Sequence, residues 1–86
     1  MANKKEMQSL LQALTAQPVL AERGFLFTLE APEVVAVHRG SHLRGIWRCE
    51  GGSFAWTPAG YATATHTVRD HEAALRYTLV ALSTAN

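Results

Sequence analysis

The stretch HLRGIWRCEGGSFAWTP, residues 42–58, constrains this chain more than any other part of it. Gly51 and Gly52 stand between two runs that alternate with a period of two. A two-residue hairpin turn needs positive φ at both central positions, which glycine adopts without steric cost. The turn then sets the register: Glu50 faces Ser53, Cys49 faces Phe54, Arg48 faces Ala55 and Trp47 faces Trp56. Side chains alternate across a strand. Leu43, Gly45, Trp47, Cys49, Phe54 and Trp56 therefore share one face, and Arg44, Ile46, Arg48, Glu50, Ser53, Ala55 and Thr57 share the other. Basic and aromatic residues mix along the sequence but separate in space. The tryptophans belong in a core, with Gly45 leaving room for an indole ring.

The preceding run VVAVH, residues 34–38, is β-branched and reads as the neighbouring strand. A three-residue loop, Arg39-Gly40-Ser41, sets His38 against His42 and Val37 against Leu43. It also places Val35 and Val37 on the tryptophan face. A two-residue loop, Gly40-Ser41, reverses these faces, because a one-residue slip exchanges them. The longer loop separates polar from apolar side chains better and is the expected one. Phe25, Phe27 and Leu29 alternate in an earlier strand, which Ala31-Pro32 ends because proline cannot donate to a sheet ladder. YATATHTV, residues 61–68, reads either as a short extra strand or as a loop.

Helical periodicity flanks these strands. Met7, Leu10, Leu11 and Leu14 form one apolar stripe behind Asn3 as N-cap, with Glu6 three residues on, as in a capping box. Pro18 ends this helix or opens a further turn through Arg23, and Gly24 suits a C-terminal cap. Asp70 is a strong N-cap for the last helix, and Glu72 meets the positive end of its dipole. Leu75, Leu79 and Leu82 form its expected buried stripe, on which His71 also falls. The expected fold is α+β: an N-terminal helix, an antiparallel three- to four-stranded meander sheet and a C-terminal helix, both helices packed on one sheet face. With 86 residues, no repeat and no shift in composition, residues 1–86 read as a single small globular domain.

Composition narrows the function. A chain 48% apolar and 17% charged folds rather than remaining disordered. Its formal net charge is +1, so any positive field has to come from clustering. No apolar run approaches the roughly 20 residues that cross a bilayer, and MANKKEMQ lacks the apolar centre of a secretory leader. The single cysteine, Cys49, has no partner for an internal disulfide. A reducing cytoplasm, away from membranes, is the expected location.

No catalytic arrangement stands out. Cys49 falls on the core face beside Phe54 and reads as a structural thiol, since a reactive thiolate needs an exposed, electropositive setting. His38 and His42 have the spacing of a metal-ligating pair, but a Gly-Ser turn interrupts it and zinc needs three or four ligands. Phosphate-binding glycine loops and nucleophile elbows are absent from the sequence. Asp70 and Glu72 are explained by capping, and Glu30 and Glu33 by the turn around Pro32. The chain is expected to be no enzyme and to carry no metal or cofactor.

The outward sheet face holds the densest basic patch, and His38, Arg39, His42, Arg44, Ile46 and Arg48 are the candidate binding residues. A mixed surface of arginine, histidine and aliphatic side chains suits a protein interface. The expected function is a small non-enzymatic protein-binding module, an adaptor, subunit or inhibitor of a larger complex, or one that self-associates as a dimer. The alternative is a nucleic-acid backbone binder through Arg39, Arg44 and Arg48. The expected element order also occurs in double-stranded RNA-binding domains, which contact phosphates and grooves by shape. Here Asp70-His71-Glu72 stands where such a domain needs clustered lysines, and would repel phosphate. Directly opposed, His38 and His42 would repel each other once protonated, weakening stability or association in acid.

Overall fold

Glycine turns the chain where the alternation demands. In the computed structural model, Gly51 and Gly52 take φ of 56° and 85° and join two antiparallel strands in the expected register, with Trp47 opposite Trp56 and Cys49 opposite Phe54. The structure describes the backbone over residues 3–84 and the side chains over 5–82. The cap read at Asn3 lies outside the described side chains. The elements run α1 (Asn3–Thr15), α2 (Pro18–Glu22), β1 (Phe25–Ala31), β2 (Val34–Arg39), β3 (His42–Glu50), β4 (Ser53–Pro58), β5 (His66–Val68) and α3 (His71–Thr84). The strands form one sheet in sequence order, β1 to β5, every neighbour antiparallel. The architecture is the expected α+β meander with its helices packed against the sheet. A fifth strand is added by residues 66–68, so the ambiguous segment is a loop followed by a strand.

The second hairpin differs from expectation in an instructive way. Arg39 opposes His42, so the loop is the two-residue Gly40-Ser41. His38 opposes Leu43, not His42, and Val37 opposes Gly45, not Leu43. The faces nevertheless do not exchange. A register shift between Val37 and His38 leaves one additional residue on β3, and this bulge restores the parity the short turn would have lost. Val35 thus opposes Trp47, and both Val35 and Val37 are fully buried. Burial of two valines with the tryptophan decides the register, and the backbone adapts at the strand end. Leu43, expected in the core, is instead 46% exposed.

The core lies between the tryptophan face and the helices. Met7, Leu10 and Leu14 of α1 and Leu20 of α2 are buried in it with Phe25, Trp47, Cys49, Phe54 and Trp56. Phe27 is half-buried against this cluster, while Leu29 is exposed on the edge strand. Pro18 sits in the first turn of α2, where a missing N–H costs nothing. Asp70 caps α3 by accepting the Ala73 N–H at 2.8 Å.

The buried stripe of α3 is rotated from the expected one. Ala74, Thr78 and Leu82 face the core, while Leu75, Leu79 and Tyr77 pack at its margin. The cause is Trp47, whose indole N–H needs an acceptor once buried. It donates to Thr78 Oγ1 at 2.9 Å, and the Thr78 hydroxyl donates to the Ala74 carbonyl at 2.7 Å. Trp47 also meets Trp56 with ring centroids 5.3 Å apart and Tyr77 edge-on at 6.0 Å. Gly45 makes room for this cluster. A Cβ there would lie 2.6 Å from the Trp56 ring and 2.8 Å from the Thr57 carbonyl oxygen.

Two substitutions test this account in urea titrations followed by tryptophan fluorescence. Gly45→Ala overpacks the Trp56 ring and should cost about 1–3 kcal/mol. An unchanged midpoint would show that the ring is not held where the structure has it. Thr78→Val keeps the shape but strands the Trp47 N–H, and should cost about 1–3 kcal/mol. Thr78→Ser, which retains the hydroxyl, should recover part of the loss; equal losses for the two would rule out the hydrogen bond as the cause.

Candidate functional site

All helical packing falls on the tryptophan side, so the opposite face of the sheet is left without a helix. Register places its residues in rows across the strands. Thr28, Ala36, Ile46 and Thr57 form one row through successive pairs from β1 to β4. Val34, Arg48, Ala55 and Thr67 form the next, from β2 to β5. Leu26, His38 and Leu43 line up toward the β2–β3 turn. Ala36 is only 3% exposed although no described helix covers it. Ile46 beside it is half-buried, and Leu26 at the margin is 60% exposed.

The expected basic patch divides. His38, Arg44, Ile46 and Arg48 remain together on or beside this face. His38 and Arg44 are half-buried, and Arg44 anchors β3 by accepting the Ala59 N–H on its carbonyl at 2.9 Å. Arg48 lies 3.7 Å from Glu50 in an ion pair whose side chains are more than half exposed, a geometry that contributes little stability. Arg39 and His42 leave the group. Arg39 is the last residue of β2, not part of the loop, and opposes Phe25 and His42. Its Nε donates to the Arg23 carbonyl at 3.1 Å, and its guanidinium lies 5.5 Å from the Phe25 ring centroid. The arginine thus closes the end of α2 over a core aromatic. The repulsion expected between opposed histidines loses its basis, since His38 and His42 do not pair.

The loop 59–65 was not foreseen as part of the site. Gly60, at φ 90°, turns it back, and Thr65 N–H donates to the Trp56 carbonyl at 2.9 Å. The segment 62–64 stands over the uncovered face and walls a cleft of about 260 Å³, whose floor includes Arg48, Ala55 and Thr57. The only sequence signal for it was the run of small residues Ala62-Thr63-Ala64, which suits a segment laid close to a sheet. The two remaining histidines serve packing. His66 stacks on Tyr77 with centroids 3.9 Å apart and planes at 9°. His71 is half-buried at the start of α3, on the same helix face as Ala74, Thr78 and Leu82, with Nδ1 3.7 Å from Glu6 Oε1 on α1.

Among the described residues, no three His, Cys, Asp or Glu side chains come together as metal ligands do. No helix among them is long and apolar enough to cross a membrane. No protein-family model, curated protein or solved structure matches the chain.

Cys49 is 1% exposed, against Phe54, and its N–H donates to the Glu33 carbonyl at 2.9 Å. Burial pushes the thiol pKa up, and the negative charges of Glu6 and Glu33 push the same way, against a backbone hydrogen bond at Gly52 that lowers it. The folded protein therefore holds a neutral thiol where the unfolded chain would ionise. Above the ordinary thiol pKa the unfolded state gains a charge that the folded state resists, so stability falls as pH rises through that region. Wild type should lose stability between about pH 8 and pH 10 more steeply than Cys49→Ala does. Parallel pH profiles for the two proteins, or native Cys49 reacting with a thiol reagent as fast as the urea-unfolded chain, would contradict this placement.

Proposed function

We propose that this protein is a small non-enzymatic protein-binding module that works through the uncovered sheet face. The observation that carries the reading is the centre of that face. Ile46 and Ala55 are apolar and only half-buried beside buried Ala36 on a face that no described helix covers, and Leu26 and Leu43 lie exposed at its margin. Apolar surface with a polar border marks interaction surfaces. His38, Arg44 and Arg48 supply that border, a residue mix that suits a protein partner better than a solvated sheet would require. The reading assigns the chain no catalytic step and no cofactor, and an intracellular, reducing setting in which Cys49 remains a thiol. It favours an adaptor, subunit or inhibitor role.

Nucleic-acid backbone binding is the weaker reading. It needs Arg39, Arg44 and Arg48 to act together on phosphates. Arg39 is drawn to the Arg23 carbonyl and Phe25, and Arg48 sits beside a carboxylate. Arg44 alone of the three has no side-chain partner among the described residues.

Immobilised wild type and Ile46→Glu, incubated with an extract of the native source, separate these readings. Ile46 is half-buried on the open face, so the variant should stay folded by tryptophan fluorescence yet lose the proteins that wild type retains. Equal retention by a folded Ile46→Glu variant would sink the reading. Duplex DNA and RNA should bind neither protein at about 50 mM salt; wild-type binding there that collapses by about 200 mM would instead promote the arginines as phosphate contacts.

A further inference from the structure

The uncovered face is electrically two-ended. Its strands run between a turn at residues 40–41 and the two turns at 32–33 and 51–52. At the first end stand Arg44 and His38. At the other stand Glu50, opposite Ser53, and Glu30, which accepts the Thr28 hydroxyl and so lies on the same face. Arg48 tempers the acidic end through its pair with Glu50. Between the two ends lie Ala36, Ile46 and Ala55. A surface with one charged end of each sign and an apolar middle complements itself when turned end for end.

We propose that this face packs against the same face of a second copy of the chain, related by a two-fold axis that crosses the strands at the level of Trp47. The inference rests on reading the face as a protein-binding surface, and it names the partner. Such an axis reverses the strand direction of the second copy. Arg44 of each copy then sits over Glu50 of the other, and the row of Ile46 sits over the row of Arg48, whose aliphatic stem packs on it. The segment 62–64 stands over β4 near the level of the axis, so the two copies of this wall meet there and the closest contact between the sheets falls on β2 and β3. Interfaces of this isologous kind are the commonest route to a dimer. The strands hold seven, six, nine, six and three residues. At about 3.3 Å per residue and about 4.8 Å between strands the face spans about 500 Å², less than the roughly 800 Å² per partner of a standard interface and in the range of weak, reversible association. Two sheets stacked in this way also cover Ile46, which no described helix reaches.

Charge exchange tests the arrangement on the full chain by sedimentation. Wild type should form a dimer that weakens as salt rises. Arg44→Glu and Glu50→Arg each place two like-charge contacts in the interface, and each should raise the dimer dissociation constant by about tenfold or more. An equimolar mixture of the two variants converts both contacts to opposite-charge pairs and should recover wild-type association as a heterodimer. Unchanged tryptophan fluorescence in each variant confirms that the fold is intact. The proposal is overturned if wild type is a monomer at the highest soluble concentration, if the variants dimerise as tightly as wild type through some other surface such as the open edge of β1, or if the mixture associates no better than its components. A monomeric wild type that still loses other bound proteins on Ile46→Glu would overturn this inference alone. A monomer whose binding to every protein ignores Ile46 would overturn the protein-binding reading as well.

Discussion

The indole N–H of Trp47 has to be satisfied inside an apolar core, and much of the packing follows from how this is done. Thr78 accepts it from the facing helix and passes its own proton to the Ala74 carbonyl one turn earlier. A buried polar chain of this kind costs little when complete and much when broken. It ties the rotation of α3 to the position of β3, because only one rotation brings residue 78 to the indole. Leu75 and Leu79 are moved to the margin as a result. Trp56, stacked at an angle on Trp47, is placed by the absence of a side chain at Gly45. Two tryptophans in so small a core leave few alternative packings.

Burial also governs the backbone. The Gly40-Ser41 turn by itself would send Val35 and Val37 outward, yet both valines are buried and β3 carries a bulge to allow it. A bulge forgoes regular pairing at one residue, whereas exposing two valines and burying their neighbours would lose several kcal/mol by the usual area relation. The same bulge sets Arg44 beside the uncovered face. One compromise in β-sheet pairing therefore shapes both the core and the candidate interface.

Local chemistry was legible where it had one solution. Gly51-Gly52 admits one hairpin, and its register was readable residue by residue, as was the space at Gly45 and the cap at Asp70. Features fixed by non-local partners were not. Nothing near Thr78 in sequence announces the tryptophan 31 residues earlier that makes it a core residue, and hydrophobicity alone nominates Leu75 and Leu79 instead. The direction of Arg39 is set by the Arg23 carbonyl and Phe25, a meeting that depends on the short α2 bringing the chain back along β1. For the candidate site, alternation identified Arg44, Ile46 and Arg48 as one face, because that inference needs only the period of a strand. That the loop 62–64 walls the face was not legible, since its course follows from the pairing of β5.

The size of the chain connects the core to the proposed role. Its three described helices all pack on one side of the sheet, and no described helix or strand lies on the other. A sheet in that situation can keep its second face polar throughout, as antiparallel sheets commonly do. This one does not, since it places Ala36, Ile46 and Ala55 at the middle of the face, with Arg48 the one charged side chain among them. Small domains bury a limited fraction of their surface and are stable by a narrow margin. Any partner that binds only the folded state adds to that margin by mass action. Occupation of the open face would therefore complete the burial that the helices begin, and binding and folding of this chain would be thermodynamically linked.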